Sequence, residues 1–137
     1  MIILRDYGAL NLLTALIWGE AEGEPLLGKI AVGWVVKNRT KDPRWPDEWE
    51  DVILQRKQFS CFNEGAVRLI QTLKALKGNW ANQTWRECRW SAYGVIQGYL
   101  SDPTNGSNHY NTVKCDPTWD DKMPLMVTIG SHEFFKG

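Results

Sequence analysis

Two apolar segments of helical period flank a short polar hinge, and that arrangement limits what this chain can fold into. The hinge is Trp18-Gly19-Glu20-Ala21-Glu22-Gly23-Glu24-Pro25, with three carboxylates, two glycines and a proline. Upstream, Leu13, Leu16, Ile17 and Glu20 fall at i, i+3, i+4 and i+7, so they share one helix face. Downstream, Leu27, Ile30, Ala31, Trp34, Val35 and Asn38 form a second stripe. Two helices joined by so short a turn pack on each other or on a common core. The first is expected from Tyr7 to Glu20–Glu22, with Asp6 as N-cap and Gly23 in the left-handed conformation that ends a helix. The second is expected from Pro25, at its first helical position, to Arg39. Each apolar stripe ends in a polar residue, Glu20 on the first and Asn38 on the second, and both are site candidates. A carboxyl at the end of an apolar stripe is partly desolvated, which favours its protonated form, as a general acid requires.

Further along, Pro46–Gln55, Glu64–Lys77 and Thr84–Leu100 carry helical spacing, the last with Asn82 or Thr84 as N-cap. Gln58–Phe62 is a loop or short strand. Asp102–Asn108 is a loop by composition. Met126–Phe135, with β-branched and aromatic residues around Gly130-Ser131, predicts a two-stranded hairpin. The fold class is therefore mainly α with a short C-terminal β element. The 137 residues suggest one domain spanning 1–137.

Several chemistries lack the residues they need. Two histidines, His109 and His132, sit in no HxxxH or HExxH pattern, which argues against a catalytic metal, and no cofactor is expected. No GxSxG supports a serine triad, and no glycine-rich loop of phosphate-binding spacing precedes a helix. Sixteen basic and 16 acidic residues give a net charge of zero, against a nucleic-acid partner. No apolar run is long enough for stable membrane insertion. Cys61, Cys88 and Cys115 have no CxxC spacing and read as reduced thiols, with one disulfide still open. The N-terminus lacks the order of a signal peptide. What remains is carboxylate acid chemistry among 8 tryptophans, whose flat faces stack on sugar rings. Glycosidic bond cleavage needs that combination.

The hinge carries a resemblance as well. Trp18–Pro25, Gly28–Gly33, Val36–Arg39 and Asp42–Pro46 resemble the SleB/CwlJ-type cell-wall hydrolase family of the spore cortex-lytic enzymes. So do Phe59-Ser60-Cys61, His109-Tyr110-Asn111, Trp119 and Ile129–Phe134. The chain departs from the family's pattern between Phe62 and Leu100, and Asn111-Thr112 stands where the family has Asn-Pro.

The resemblance implies a lysozyme-like, lytic-transglycosylase-like domain. It implies cleavage of peptidoglycan at the β-1,4 bond between N-acetylmuramic acid and N-acetylglucosamine. It places the catalytic acid at Glu20. Substrate-binding roles are expected of Asn38, Phe59, Ser60, His109, Tyr110 and Trp119. Glu24 is the foremost second carboxylate should the enzyme be a hydrolytic muramidase, with Glu22 and Asp102 behind it, although Glu24 also reads as the cap of the second helix. His132 reads as structural. A non-catalytic glycan-binding module is the alternative of a different class. The expected setting is a monomeric phage endolysin, made in the host cytoplasm and acting on glycan strands of the wall after release.

Overall fold

The computed structural model describes residues 4–55, 81–113 and 122–137. A 3-10 turn, Leu4–Tyr7, leads into helix α1, Gly8–Ala21. Residues Leu12 to Ile17 are buried without a break, so α1 is enclosed on nearly all sides rather than along one stripe. Its one hydroxyl in that stretch is satisfied, Thr14 Oγ1 donating to Leu10 O at 2.6 Å. Asp6 lies inside the 3-10 turn, and the N-cap is Tyr7, with no side-chain cap bond. The helix ends through Glu22 in right-handed geometry, and the turn closes with Glu24 N donating to Ala21 O at 3.0 Å. Gly23 is not among the glycines of positive φ, so the expected left-handed stop is not used.

Helix α2, Leu26–Thr40, takes Pro25 as its extended N-cap, one residue earlier than expected of that proline. It buries Gly28, Lys29, Ala31, Val32, Val35, Val36 and Arg39. Leu27, expected on the buried stripe, is exposed. The buried face is rotated towards Gly28, where the missing side chain lets Ile129 and Glu24 approach. Helix α3, Trp49–Ile53, is shorter than the predicted Pro46–Gln55 and contributes Val52 and Ile53 to the core.

Helix α4, Gln83–Gln97, starts at Asn82, whose Oδ1 accepts from Trp85 N at 3.0 Å. It stops at Gly98, whose φ of 80° suits a residue without Cβ. Its inner face, Trp85, Cys88, Ala92 and Val95, closes over α1 and α2. Cys88 is a free, buried thiol whose pKa burial pushes up to about 12. Gln58–Phe62, Glu64–Lys77, Cys61 and Cys115 lie outside the described residues.

The predicted hairpin is present as β2, Leu125–Ile129, and β3, His132–Phe135, with Gly130 at φ 59° in the turn. A third strand, β1, His109–Thr112, was not expected. It completes an antiparallel sheet of order β1-β3-β2, with Tyr110 opposite Phe134 and Thr112 opposite His132. A register shift lies between Leu125 and Val127. Tyr110, Ile129 and Phe134 point from this sheet into the same core as α1.

Candidate active site

Glu20 sits in the last turn of α1 and is half-buried. Tyr110 reaches it from β1. The phenol is buried, and its pKa is driven well above the ordinary value. Burial is the main cause, followed by the charge of Glu20 and the hydrogen bond to it, while Arg39 opposes. Tyr110 therefore keeps its proton and turns a protonated hydroxyl towards Glu20.

Two aromatic contacts fix the tyrosine ring. His132 stands edge-on at 5.2 Å between centroids, and Phe134 lies tilted at 5.8 Å. His132 is itself buried, and its Nδ1 is 3.5 Å from Glu24 Oε1. Desolvation lowers its pKa and Glu24 pulls the other way, leaving a neutral ring near pH 7.

Glu24 does not cap α2. Its Oε1 accepts from Ser131 N at 2.7 Å and its Oε2 from Ser131 Oγ at 2.6 Å, so it clamps the β2–β3 turn onto the α1–α2 turn. Burial alone would raise its pKa. The Ser131 hydroxyl and amide, then His132 and Lys29, outweigh burial and hold it below the ordinary value. Lys29, also buried, donates to Glu24 O and lies 3.7 Å from Glu87 Oε1 on α4. Local sequence pattern carries little signal for this clamp, because Glu24 and Ser131 are 107 residues apart.

The other candidates divide. Asn38 is twelve residues past Leu26, about 18 Å along α2 from the turn. Its Nδ2 donates to Asp102 Oδ2 at 3.0 Å and to Ser107 O at 2.9 Å. It pins the 102–108 loop and does not hold the Glu20 turn. Asp102 also accepts from Thr104 N, Thr104 Oγ1 and Gly106 N. Burial opposes its ionisation, but those donors and Asn38 prevail and lower its pKa.

His109 lines a separate hollow of about 500 Å³ with Arg44, Trp45, Gln55, Met123 and Gly137. Its Nδ1 is 2.8 Å from Asn108 Oδ1. Desolvation, then Arg39 and Arg44, lower its pKa to about 4. Arg39 is fully buried. Its Nε donates to Asn108 O at 2.7 Å and its guanidinium lies 5.0 Å from the Trp45 ring. Phe59, Ser60 and Trp119 fall outside the described residues. Among the described residues, no cluster of three or more His, Cys, Asp or Glu side chains is placed to hold a metal ion.

A central buried helix ends in a glutamate, and a small antiparallel sheet presents a tyrosine to it. That defines a mainly helical domain with its candidate chemistry at a helix–sheet junction. The chain belongs to the cell wall hydrolase family, whose sequence model matches residues 23–135. Among its relatives are spore cortex-lytic enzymes from Halalkalibacterium halodurans and Bacillus subtilis. The first is 27% identical over 126 residues, covering 91% of this chain and 34% of that protein. The second is 29% identical over 126 residues, covering 91% and 36%. The chain thus spans about a third of the length of these two relatives. Among solved structures, it is similar to the catalytic domain of the germination-specific lytic transglycosylase SleB from Bacillus anthracis. There the TM-score is 0.73 at 25% identity, over 93% of each chain. It is also similar to the catalytic domain of Bacillus cereus SleB, with a TM-score of 0.70 at 25% identity, over 93% of this chain and 89% of that one.

Proposed function

We propose that this chain cleaves peptidoglycan glycan strands at the β-1,4 bond between N-acetylmuramic acid and N-acetylglucosamine, as a lytic transglycosylase with Glu20 as its one catalytic carboxyl group. The observation that carries this reading is the division of labour among the acidic groups. Glu20 faces a protonated Tyr110 at the end of α1. Both oxygens of Glu24 are taken by Ser131, and both of Asp102 by Asn38, Thr104 and Gly106. Two of the three alternative carboxylates thus hold the fold together. A hydrolytic muramidase needs one of them free, about 5 Å from the acid for retention or about 6.5–9.5 Å for inversion. Likeness to the SleB catalytic domain, a germination-specific lytic transglycosylase in Bacillus anthracis, supports the same choice.

In this mechanism the Glu20 carboxyl donates its proton to the glycosidic oxygen as the C1–O bond breaks. The resulting carboxylate takes the proton of the muramic acid C6 hydroxyl, whose oxygen bonds to C1 and closes a 1,6-anhydro ring. No water is consumed. Tyr110 donates to the Glu20 carboxylate and holds it in one orientation.

Glu20→Gln tests the assignment. Purified sacculi should keep their turbidity with that variant while its folding is unchanged, a loss of at least about a hundredfold in rate. Mass spectrometry of the native protein's products should show reducing ends lighter by one water. Undiminished clearing by Glu20→Gln removes the residue from the mechanism, and hydrated reducing ends replace the transglycosylase with a muramidase. The proposal extends to host lysis as a phage endolysin. There, co-expression with a membrane-permeabilising protein should lyse Gram-negative cells, and Glu20→Gln should not.

A further inference from the structure

The outward face of α4 is not what a solvated helix presents. Gln83, Arg86, Trp90 and Tyr93 fall at i, i+3, i+7 and i+10, one face about 15 Å long. Such a face is ordinarily polar throughout. Here Trp90 is 53% exposed, Tyr93 46% and Tyr99, just past the helix, 72%. The Tyr93 and Tyr99 rings lie 6.0 Å apart and tilted, continuing the row. At its other end Trp90 walls a hollow of about 450 Å³ with Leu26, Gln83, Arg86 and Glu87. That volume is within the range of small-molecule sites.

We infer that this face, from the Leu26–Trp90 hollow to Tyr99, is a carbohydrate platform that holds the glycan strand away from the bond being cut. The inference rests on the peptidoglycan reading above and assigns a further part of the same substrate to it. Three observations choose the occupant. The surfaces are flat aromatic rings rimmed by planar amide, guanidinium and carboxylate groups, which suits pyranose faces edged by hydroxyl and N-acetyl groups. The rim mixes charges, with Arg86 beside Glu87, which fits a neutral glycan backbone. An anionic membrane surface calls for a basic face. Position is the third. Leu26 opens α2 directly after the Glu20–Pro25 turn, and Lys29 joins Glu24 of that turn to Glu87 of the hollow. The hollow end of the row is thus tied through Lys29 to the turn that follows Glu20.

The test is binding of the full chain to purified sacculi by sedimentation, in the Glu20→Gln background so that no substrate is consumed. Trp90→Ala with Tyr93→Ala should weaken binding by about tenfold, as loss of a central aromatic anchor does. Trp90→Phe should retain most of it. Leu125→Ala, which removes a comparably exposed apolar side chain from β2, should bind as the parent does. A β-1,4-linked N-acetylglucosamine oligomer should compete. Unchanged binding by the double variant overturns the platform. So does equal loss in Leu125→Ala or Trp90→Phe, competition by a free stem peptide but not by the oligomer, or a self-associated state that Trp90→Ala dissolves. Residual clearing of sacculi by Glu20→Gln would count against the catalytic assignment and leave this binding measurement to stand on its own.

Discussion

His109 shows how a single side chain ties stability to pH. Its ring is desolvated and faces Arg39 and Arg44, which together lower its pKa from 6.5 to about 4. Asn108, Trp45, Gln55 and Met123 stand around it, and Asp42 pairs with Arg44 at 2.8 Å. Between those two values the unfolded chain binds a proton that the folded chain refuses, so stability rises with pH across the window. The contribution is fully present above about pH 7 and is lost as pH falls from about 6.5 towards 4. His132 acts in the same direction, since burial lowers its pKa as well. Glu24 and Asp102, both held below their ordinary values, keep their contribution until the pH falls further, through the folded-state values. Urea unfolding at pH 5 and pH 7.5 should therefore show a lower midpoint at pH 5, and His109→Gln should shrink that difference. A midpoint that is the same at both pH values would mean that His109 takes up its proton as readily in the fold as out of it.

At the level of elements, the sheet is held against the helices by its turn. Gly130 has φ 59°, and a Cβ there would meet Glu24 Oε1 and lie 2.9 Å from Pro25 Cδ. Gly130→Ala thus strains the backbone and drives the Glu24 carboxylate off Ser131. The expected destabilisation is about 2–4 kcal/mol, from the left-handed cost and loss of charge-assisted bonds. Thermal unfolding checks it, and a change below about 0.5 kcal/mol would show that the hairpin relaxes without cost. The hairpin was legible beforehand because its signal is local: β-branched runs either side of Gly-Ser. The three long helices were legible for the same reason, each carrying 3.6-residue spacing, although the start and stop expected of α1 at Asp6 and Gly23 are not used. Strand β1 was not. His-Tyr-Asn-Thr is four residues with no alternation to read, and it becomes a strand only because β3 pairs with it. Glu24 was half legible. Its place before Pro25 suggested a helix cap, yet tertiary contact with Ser131 claimed the carboxylate instead.

Across the whole molecule, α2 is the strut that joins helices to sheet, and it does so at both ends. Near its start Glu24 holds Ser131, and near its end Arg39 holds the carbonyl of Asn108, one residue before β1. Sequence periodicity marked α2 but could not mark these anchors, since each depends on a residue far along the chain. It marked Glu20 and Asn38 alike, each as the polar end of an apolar stripe, and helix length separates the two ends of α2. Leu26 and Arg39 are thirteen residues apart, roughly 20 Å of helix. Perturbations at sites so separated add, while coupled sites deviate. Glu24→Gln keeps the shape and removes the charge that Ser131 and His132 face, for an expected loss of about 1–2 kcal/mol. Arg39→Met keeps much of the buried volume but strands the Asn108 carbonyl. Relief from burying a charge offsets part of that, leaving about 1–3 kcal/mol. The double variant should lose the sum to within about 0.5 kcal/mol in urea titrations at pH 7.5. A coupling above about 1 kcal/mol would mean that the sheet docks as one rigid plate, in which losing either anchor already frees the other. Near-additivity would instead mark two independent hinges.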